Sequence, residues 1–237
     1  MHYAIVAAGE GSRMVHEGVA LPKPLVELEG KPMIGRLIDL FASYEPESLT
    51  IIINNSMNDV RQYLESIVPG LGFPVEIIQK DTSGSMESVY EVSHAFDRGK
   101  TVLSTVDSVF SRDEWNKFIR DFAANMSDDG LFPVTDFIDD EKPLYVDTDA
   151  EGYITAFRDE PSPDDFYISG GIYGITPECN KVLARCRERG VHSLRGYQRT
   201  LVAEGLRLKA YPFSKIVDVD HAGDIDTARA FLAEYNQ

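Results

Sequence analysis

The chain has 237 residues, 43% of them hydrophobic and 10% aromatic, which supports a sizeable core and suits one large α/β domain or at most two small ones. Its 39 acidic residues outweigh 23 lysines and arginines, for a formal net charge of -16. That balance argues against a nucleic-acid surface, which needs a basic stripe, and against docking on anionic lipid. A phosphate ligand would then need local cations, backbone N–H groups or a bound metal.

Tyr3 to Ala8 is a short apolar run ending in glycines and reads as a buried strand. It is too short for a signal peptide and lacks a basic start, and no apolar run approaches a membrane span. Ile34, Leu37, Ile38 and Phe41 have helical spacing; Leu49 to Ile53 is a β-branched second strand. Val60, Leu64 and Ile67 mark a helix, Val75 to Ile78 a third strand, and Met86, Val89, Ser93 and Phe96 another helical stripe. Strand Thr101 to Val106, a helix marked by Trp115, Phe118, Ile119 and Phe122, and strand Leu131 to Val134 complete this half. The alternation predicts parallel strands with right-handed helical crossovers, hence an open α/β sheet.

The pattern changes after about Thr135. Asp136 to Lys142 is acidic and turn-like. Tyr145 to Val146 and Ile154 to Phe157 read as a hairpin, and Phe166 to Ile175 as one long strand with three glycines. Lys181 to Arg189 and Leu194 to Glu204 read as helices, Leu206 to Tyr211 as extended, and Asp224 to Tyr235 as a closing helix. Neither repeats nor a low-complexity linker separates the halves, so the second half reads as an insertion on the same sheet. Cys179 and Cys186 lie on one predicted helix, where seven residues rise roughly 10 Å, too far for a disulfide. They read as core hydrophobes in a reducing compartment, and the expected location is the cytoplasm.

In an open α/β sheet the ligand sits at the carboxyl ends of the strands, so the first loop is the place to look. Ala7-Ala8-Gly9-Glu10-Gly11-Ser12-Arg13-Met14 can bring backbone N–H groups close to a phosphate. Met14 stands where a dinucleotide fingerprint needs glycine, and the Gly-Lys-Ser/Thr of a P-loop is absent. Further on, Pro22 and Pro24 restrict the backbone around Lys23, which suits a fixed point charge for a phosphate.

Gly9-Glu10-Gly11-Ser12-Arg13-Met14, Leu21-Pro22-Lys23-Pro24-Leu25-Val26 and Gly30-Lys31-Pro32-Met33, in that order, resemble the signature of the sugar-1-phosphate nucleotidylyltransferase superfamily. The resemblance implies a single domain over 1–237 with a Rossmann-like, mixed but mostly parallel sheet, helices on both faces and a small acceptor-binding β insertion. Residues 1–134 would bind nucleotide and 135–237 the acceptor. Arg13 and Lys23 would act on the triphosphate, with Ala7, Ala8, Gly9 and Gly11 cradling the nucleotide. Gln79, Gly84 and Ser85 resemble the base-reading segment.

Asp107 ends an apolar strand, either as a turn cap or, as the resemblance implies, as a magnesium ligand, although Val106 replaces the usual glycine. Asp218 matches the second ligand, with Asp220 a rival or helper on the same strand face. Lys215 could face phosphate or solvent, and His221 reads as a surface or capping residue. Asp159, Gly171 and Tyr173 fall in the acceptor segments. Glu160 stands where the family has a lysine, which removes a cation from the expected acceptor-phosphate site.

The implied partners are a nucleoside triphosphate and a phosphorylated small molecule, with no nucleic acid and no membrane; a homo-oligomer stays open. The chain ends soon after its closing helix, so no appended acyltransferase domain is expected. The implied reaction is magnesium-dependent transfer of NMP to a sugar 1-phosphate. Alternatives are cytidylyl or guanylyl transfer to a phosphocholine-like or molybdopterin-like acceptor, or a regulator that binds nucleotide without catalysis.

Overall fold

A computed structural model describes residues 1–139, 141–162 and 167–235, apart from the side chain of Ala95. The first half runs β1 (His2–Ala7), α1 (Ser12–His16), a 3-10 turn (Lys23–Leu25), a small hairpin of β2 (Glu27–Leu28) and β3 (Lys31–Pro32), α2 (Met33–Ala42), β4 (Ser48–Ile53), α3 (Asn58–Ile67), β5 (Val75–Gln79), α4 (Ser85–Val92), β6 (Thr101–Thr105), β7 (Ser108–Phe110), α5 (Arg112–Ala124) and β8 (Gly130–Thr135). There follow β9 (Tyr145–Thr148), β10 (Ile154–Arg158), β11 (Tyr167–Ser169), β12 (Ile172–Ile175), α6 (Pro177–Glu188), α7 (Leu194–Ala203), β13 (Leu208–Phe213), β14 (Ile216–Asp218) and α8 (Ala222–Tyr235).

Ten strands form the main sheet in the order β10-β9-β11-β8-β12-β6-β1-β4-β5, with β13 pairing parallel to β8. β5, β4, β1 and β6 are mutually parallel, as the alternating pattern requires, while β12 enters antiparallel between β6 and β8. Side chains alternate across each strand, so Tyr3, Ile5 and Ala7 of β1 face α2, α3 and α5, whereas Ala4 faces α4, α6 and α7. Tyr3 stacks on Phe41 at 4.6 Å between ring centres and Phe41 on Trp115 at 5.1 Å, all three fully buried.

The predicted hairpin is β9 with β10, and Cys179 and Cys186 are buried free thiols on α6. No described helix is long and apolar enough to cross a membrane. The long strand predicted over Phe166 to Ile175 is corrected: Phe166 lies outside the described residues, and the rest breaks at Gly170-Gly171. β11 pairs with the end of β8 and β12 with its start, so the two glycines form a bulge between them. Gly171 has φ +72°, and a Cβ there would lie 2.3 Å from Ser108 Oγ.

Two elements that hydropathy did not forecast position the first loop. β7 pairs antiparallel with β14, Asp218 opposite Ser108. A third apolar cluster joins Met14, Val26 and Leu28 of the first-loop region to Val217, Val219, Phe231 and Leu232. The start and the end of the chain therefore meet at the carboxyl edge of β1 and β6.

Candidate active site

The glycine-rich loop leaves β1 and turns at Gly11, which adopts φ +61° at the start of α1. A Cβ on Gly11 would lie 3.1 Å from Lys23 Cβ, so the bare backbone lets the lysine pack against the loop. Lys23 follows the extended Pro22 and opens the 3-10 turn. The loop and the lysine line a cleft of about 450 Å³ whose lining includes Ala7, Ala8, Gly9, Gly11, Arg13, Gly84, Ser85, Asp107 and Asp220.

Asp107 directly follows β6 and Val106. Its carbonyl accepts the backbone N–H of Val219 at 3.1 Å, which draws the closing segment alongside. Asp107, Asp218 and Asp220 can each present an oxygen within 4.8 Å of the others. Lys23 Nζ donates to Asp107 Oδ2 at 2.6 Å and also to Asp220. Arg13 donates to Asp220 at 2.6 Å. Lys23 is only 8% exposed. Burial would lower its pKa, but the charges of Asp107, Asp218 and Asp220 outweigh it, and the ammonium is held charged. Burial likewise works against the Asp107 carboxylate, but the charge and hydrogen bond of Lys23, together with hydrogen bonds from the Thr105 hydroxyl and the backbone, outweigh it, so its pKa is lowered.

Three clustered carboxylates offer hard oxygen donors, the set that Mg²⁺ takes together with water and phosphate oxygens. The donor set fits that ion. β14 ends at Asp218, so Asp218 and Asp220 are not alternate residues of one strand; Asp220 reaches the cluster from the following turn. Lys215 does not face the cleft; its ammonium lies 4.0 Å from the centre of the Phe137 ring. His221 ties α8 to α1 through Glu17 at 2.6 Å.

A second cavity of about 280 Å³ adjoins the first and shares Ser85, Thr105 and Asp107 with it. Gly171, Tyr173 and Asp218 line it, as do Arg195 and Gln198 of α7. The first turns of α4 and α7 meet here, where Leu194 N–H donates to Ser85 Oγ at 3.0 Å. Two predicted residues lie apart from these cavities. Gln79 at the end of β5 donates to the Asn55 carbonyl at 3.1 Å and to Asn58 at 3.3 Å, outside the cleft lining. Asp159 is 58% exposed and outside the second cavity's lining, paired with Arg199 at 2.7 Å and Arg195 at 3.2 Å, which hold its carboxyl below the usual range.

The model of the MobA-like NTP transferase domain matches residues 3–169 of this sequence, the stretch that carries the loop, Lys23 and Asp107. The chain belongs to that family. Among curated relatives, the MobA-like domain is 27% identical over 165 residues to bifunctional protein GlmU of Neisseria meningitidis serogroup B, covering 69% of this chain and 34% of the relative. It is 33% identical over 101 residues to bifunctional protein GlmU of a Cyanothece species, covering 43% of this chain and 21% of the relative. The chain thus matches between a fifth and about a third of these relatives' length.

In fold, the MobA-like chain is similar to the inositol-1-phosphate CTP transferase from T. maritima, with TM-score 0.80 and 17% identity over 100% of this chain and 96% of that one. It is also similar to the nucleoside-diphosphate-sugar pyrophosphorylase from Vibrio cholerae RC9, with TM-score 0.72 and 16% identity over 97% and 100%.

Sequence reading of this MobA-like domain missed Arg195. It sits in the first turn of α7, where a cation opposes the helix dipole. That misfit was the available signal. Gln198 carried a signal in its spacing: it lies four residues after Leu194 and three before Leu201, on the apolar stripe of the helix, where a polar side chain is out of place.

Proposed function

We propose that this protein transfers a nucleoside monophosphate from a nucleoside triphosphate to a sugar 1-phosphate, forming a nucleoside-diphosphate sugar and pyrophosphate, with magnesium. The observation that carries the reading is the junction of two cavities at Ser85, Thr105 and Asp107. One cavity has the glycine loop and two cations suited to a triphosphate. The other supplies a cation and hydroxyls suited to a phosphorylated acceptor.

In this reading an acceptor phosphate oxygen attacks the α-phosphorus, and the bond from that phosphorus to the oxygen bridging to the β-phosphate breaks. The acceptor phosphate is already anionic, so no proton has to be removed first. Arg13 and Lys23 stabilise charge on the departing pyrophosphate. Residues 1–134 thus serve the nucleotide and 135–237 chiefly the acceptor. Asp107, Asp218 and Asp220 would hold the magnesium ion, which when bound neutralises phosphate charge and aligns the reacting groups.

Arg195 takes over the role left open by Glu160, holding the acceptor phosphate beside the N-terminus of α7. The two structural neighbours are named for inositol 1-phosphate and for nucleoside-diphosphate sugars, which supports a hydroxylated ring as the acceptor. Among the described residues lining the second cavity Tyr173 is the single aromatic, so no cage for a quaternary ammonium favours phosphocholine. The buried thiols of Cys179 and Cys186 fit a reducing cytoplasm.

The test is pyrophosphate release, measured with each nucleoside triphosphate against a panel of sugar 1-phosphates, inositol phosphate and phosphocholine. At least one sugar 1-phosphate is expected to support release far above Lys23→Ala and Asp107→Ala controls. If no pair exceeds those controls, the reading is wrong.

A further inference from the structure

Gln198 lies on α7 with only 1% of its surface exposed, yet it forms part of the wall of the acceptor cavity. Its helix neighbours Leu194, Tyr197 and Leu201 are buried in an apolar layer. A buried amide is costly unless its polar atoms are hydrogen-bonded. Gln198 Nε2 donates to Ser169 Oγ at 3.0 Å. Ser169 is itself fixed, since its backbone N–H donates to the Leu144 carbonyl at 2.9 Å and its hydroxyl interacts with that of Tyr173. The bond to Ser169 sets which way the amide points and occupies one of its two N–H groups. Among the described residues, nothing else takes the second N–H or the carbonyl oxygen.

We propose that Gln198 is a specificity-determining residue that reads a ring hydroxyl of the acceptor. The inference rests on the transfer reading above. A hydroxyl both donates and accepts, and an oriented amide offers one group of each kind side by side. A quaternary ammonium can do neither. Ser169 is the positioning residue, because it holds the amide in the orientation that presents both groups to the cavity.

The experiment compares wild type with Gln198→Leu on the acceptor that supports pyrophosphate release and on its mono-deoxy analogues. Gln198→Met, close in length and volume, is carried alongside. Thermal melts establish which variants fold. The variant is expected to raise the acceptor KM about 10- to 100-fold, with kcat and the nucleotide KM within about twofold of wild type. One deoxy analogue is expected to suffer that same loss with wild type and no further loss with the variant. A variant that loses as much on every deoxy analogue as on the parent acceptor overturns the inference and leaves the transfer reading standing. Wild-type enzyme that releases no pyrophosphate with any hydroxylated acceptor sinks the transfer reading itself.

Discussion

Lys23, in the first loop region, is ion-paired with Asp220, 197 residues further along the chain. The pair closes the fold on itself, since Lys23 also holds Asp107 and so joins the ends of β6 and β14. Without Lys23, three carboxylates would face one another, with Arg13 paired to Asp220. Lys23→Met is expected to lower pyrophosphate release by about 10²- to 10³-fold, the scale for losing one charged transition-state contact. It should also melt lower than wild type in chelator, and Mg²⁺ should raise its melting temperature more than that of wild type, because a cation again compensates the cluster. Equal shifts in the two proteins would show that Lys23 does not balance these acids.

Chelation is expected to abolish activity, with Mg²⁺ restoring it. Asp107→Asn and Asp218→Asn each remove a charge from the donor set and should cut the rate by about 10³-fold, the scale for losing several kcal/mol of electrostatic stabilisation. Mn²⁺ binding followed by electron paramagnetic resonance supplies a readout independent of turnover. Unchanged Mn²⁺ affinity in both variants would place the metal elsewhere.

Most of the first cleft was legible because its lining is local in sequence, whereas Gln79, expected there, lies outside it. Gly11, Arg13 and Lys23 all fall in the connection between β1 and β2, and Asp107 follows closely on a strand whose hydropathy is plain. The second cavity was less legible because it is assembled by tertiary packing. Arg195 and Gln198 reach it from α7; Gly171 and Tyr173, both expected at the acceptor, do line it, but the bulge that carries Gly171 was expected to be continuous strand. Asp159 matched a motif by position, but two arginines hold it at the surface, while one of them, Arg195, lines the cavity. The pairing of β7 with β14 was illegible for the same reason: each strand is three residues long, too short for periodicity to register.

Arg195→Ala is expected to raise the acceptor KM about 10- to 100-fold, from roughly 1.5–3 kcal/mol for a hydrogen bond to a charged group. The KM for nucleoside triphosphate should stay within about twofold, because Arg195 lines the second cavity and not the first. Arg195→Lys should restore only part of the loss, since a point charge lacks the two-pronged geometry of guanidinium. Steady-state kinetics with each substrate varied in turn decides it. A rise confined to the nucleotide KM would contradict the assignment of the two cavities.

Gly171→Ala tests the bulge between β11 and β12. The residue's φ of +72° disfavours any side chain, and the new Cβ would meet Ser108 Oγ at 2.3 Å and Thr105 Oγ1 at 2.8 Å. Left-handed strain alone costs about 1–2 kcal/mol, and the clash adds to it. Denaturant unfolding should show a loss of about 2 kcal/mol or more. Because Thr105 borders both cavities, turnover should fall as well. Full stability in the variant would mean that the bulge can relax without moving β6.

His2 gives the pH dependence a sign. The ring is buried at the start of β1, with Nδ1 and Ser48 Oγ 2.8 Å apart. Burial lowers its pKa below 6.5; Glu47 opposes this, while the N-terminus and Arg98 reinforce it. Above 6.5 the ring is neutral in both folded and unfolded chains and stability does not depend on it. As the pH falls below 6.5 the unfolded chain takes up the proton first, so stability falls until the lower folded-state pKa has been passed. Unfolding free energies measured between pH 8 and pH 5 should therefore decline more steeply for wild type than for His2→Phe, and the His2 ring should titrate below 6.5 by NMR. A His2 pKa at or above 6.5, or identical slopes in the two proteins, would rule this out and leave the acid sensitivity to the carboxylates.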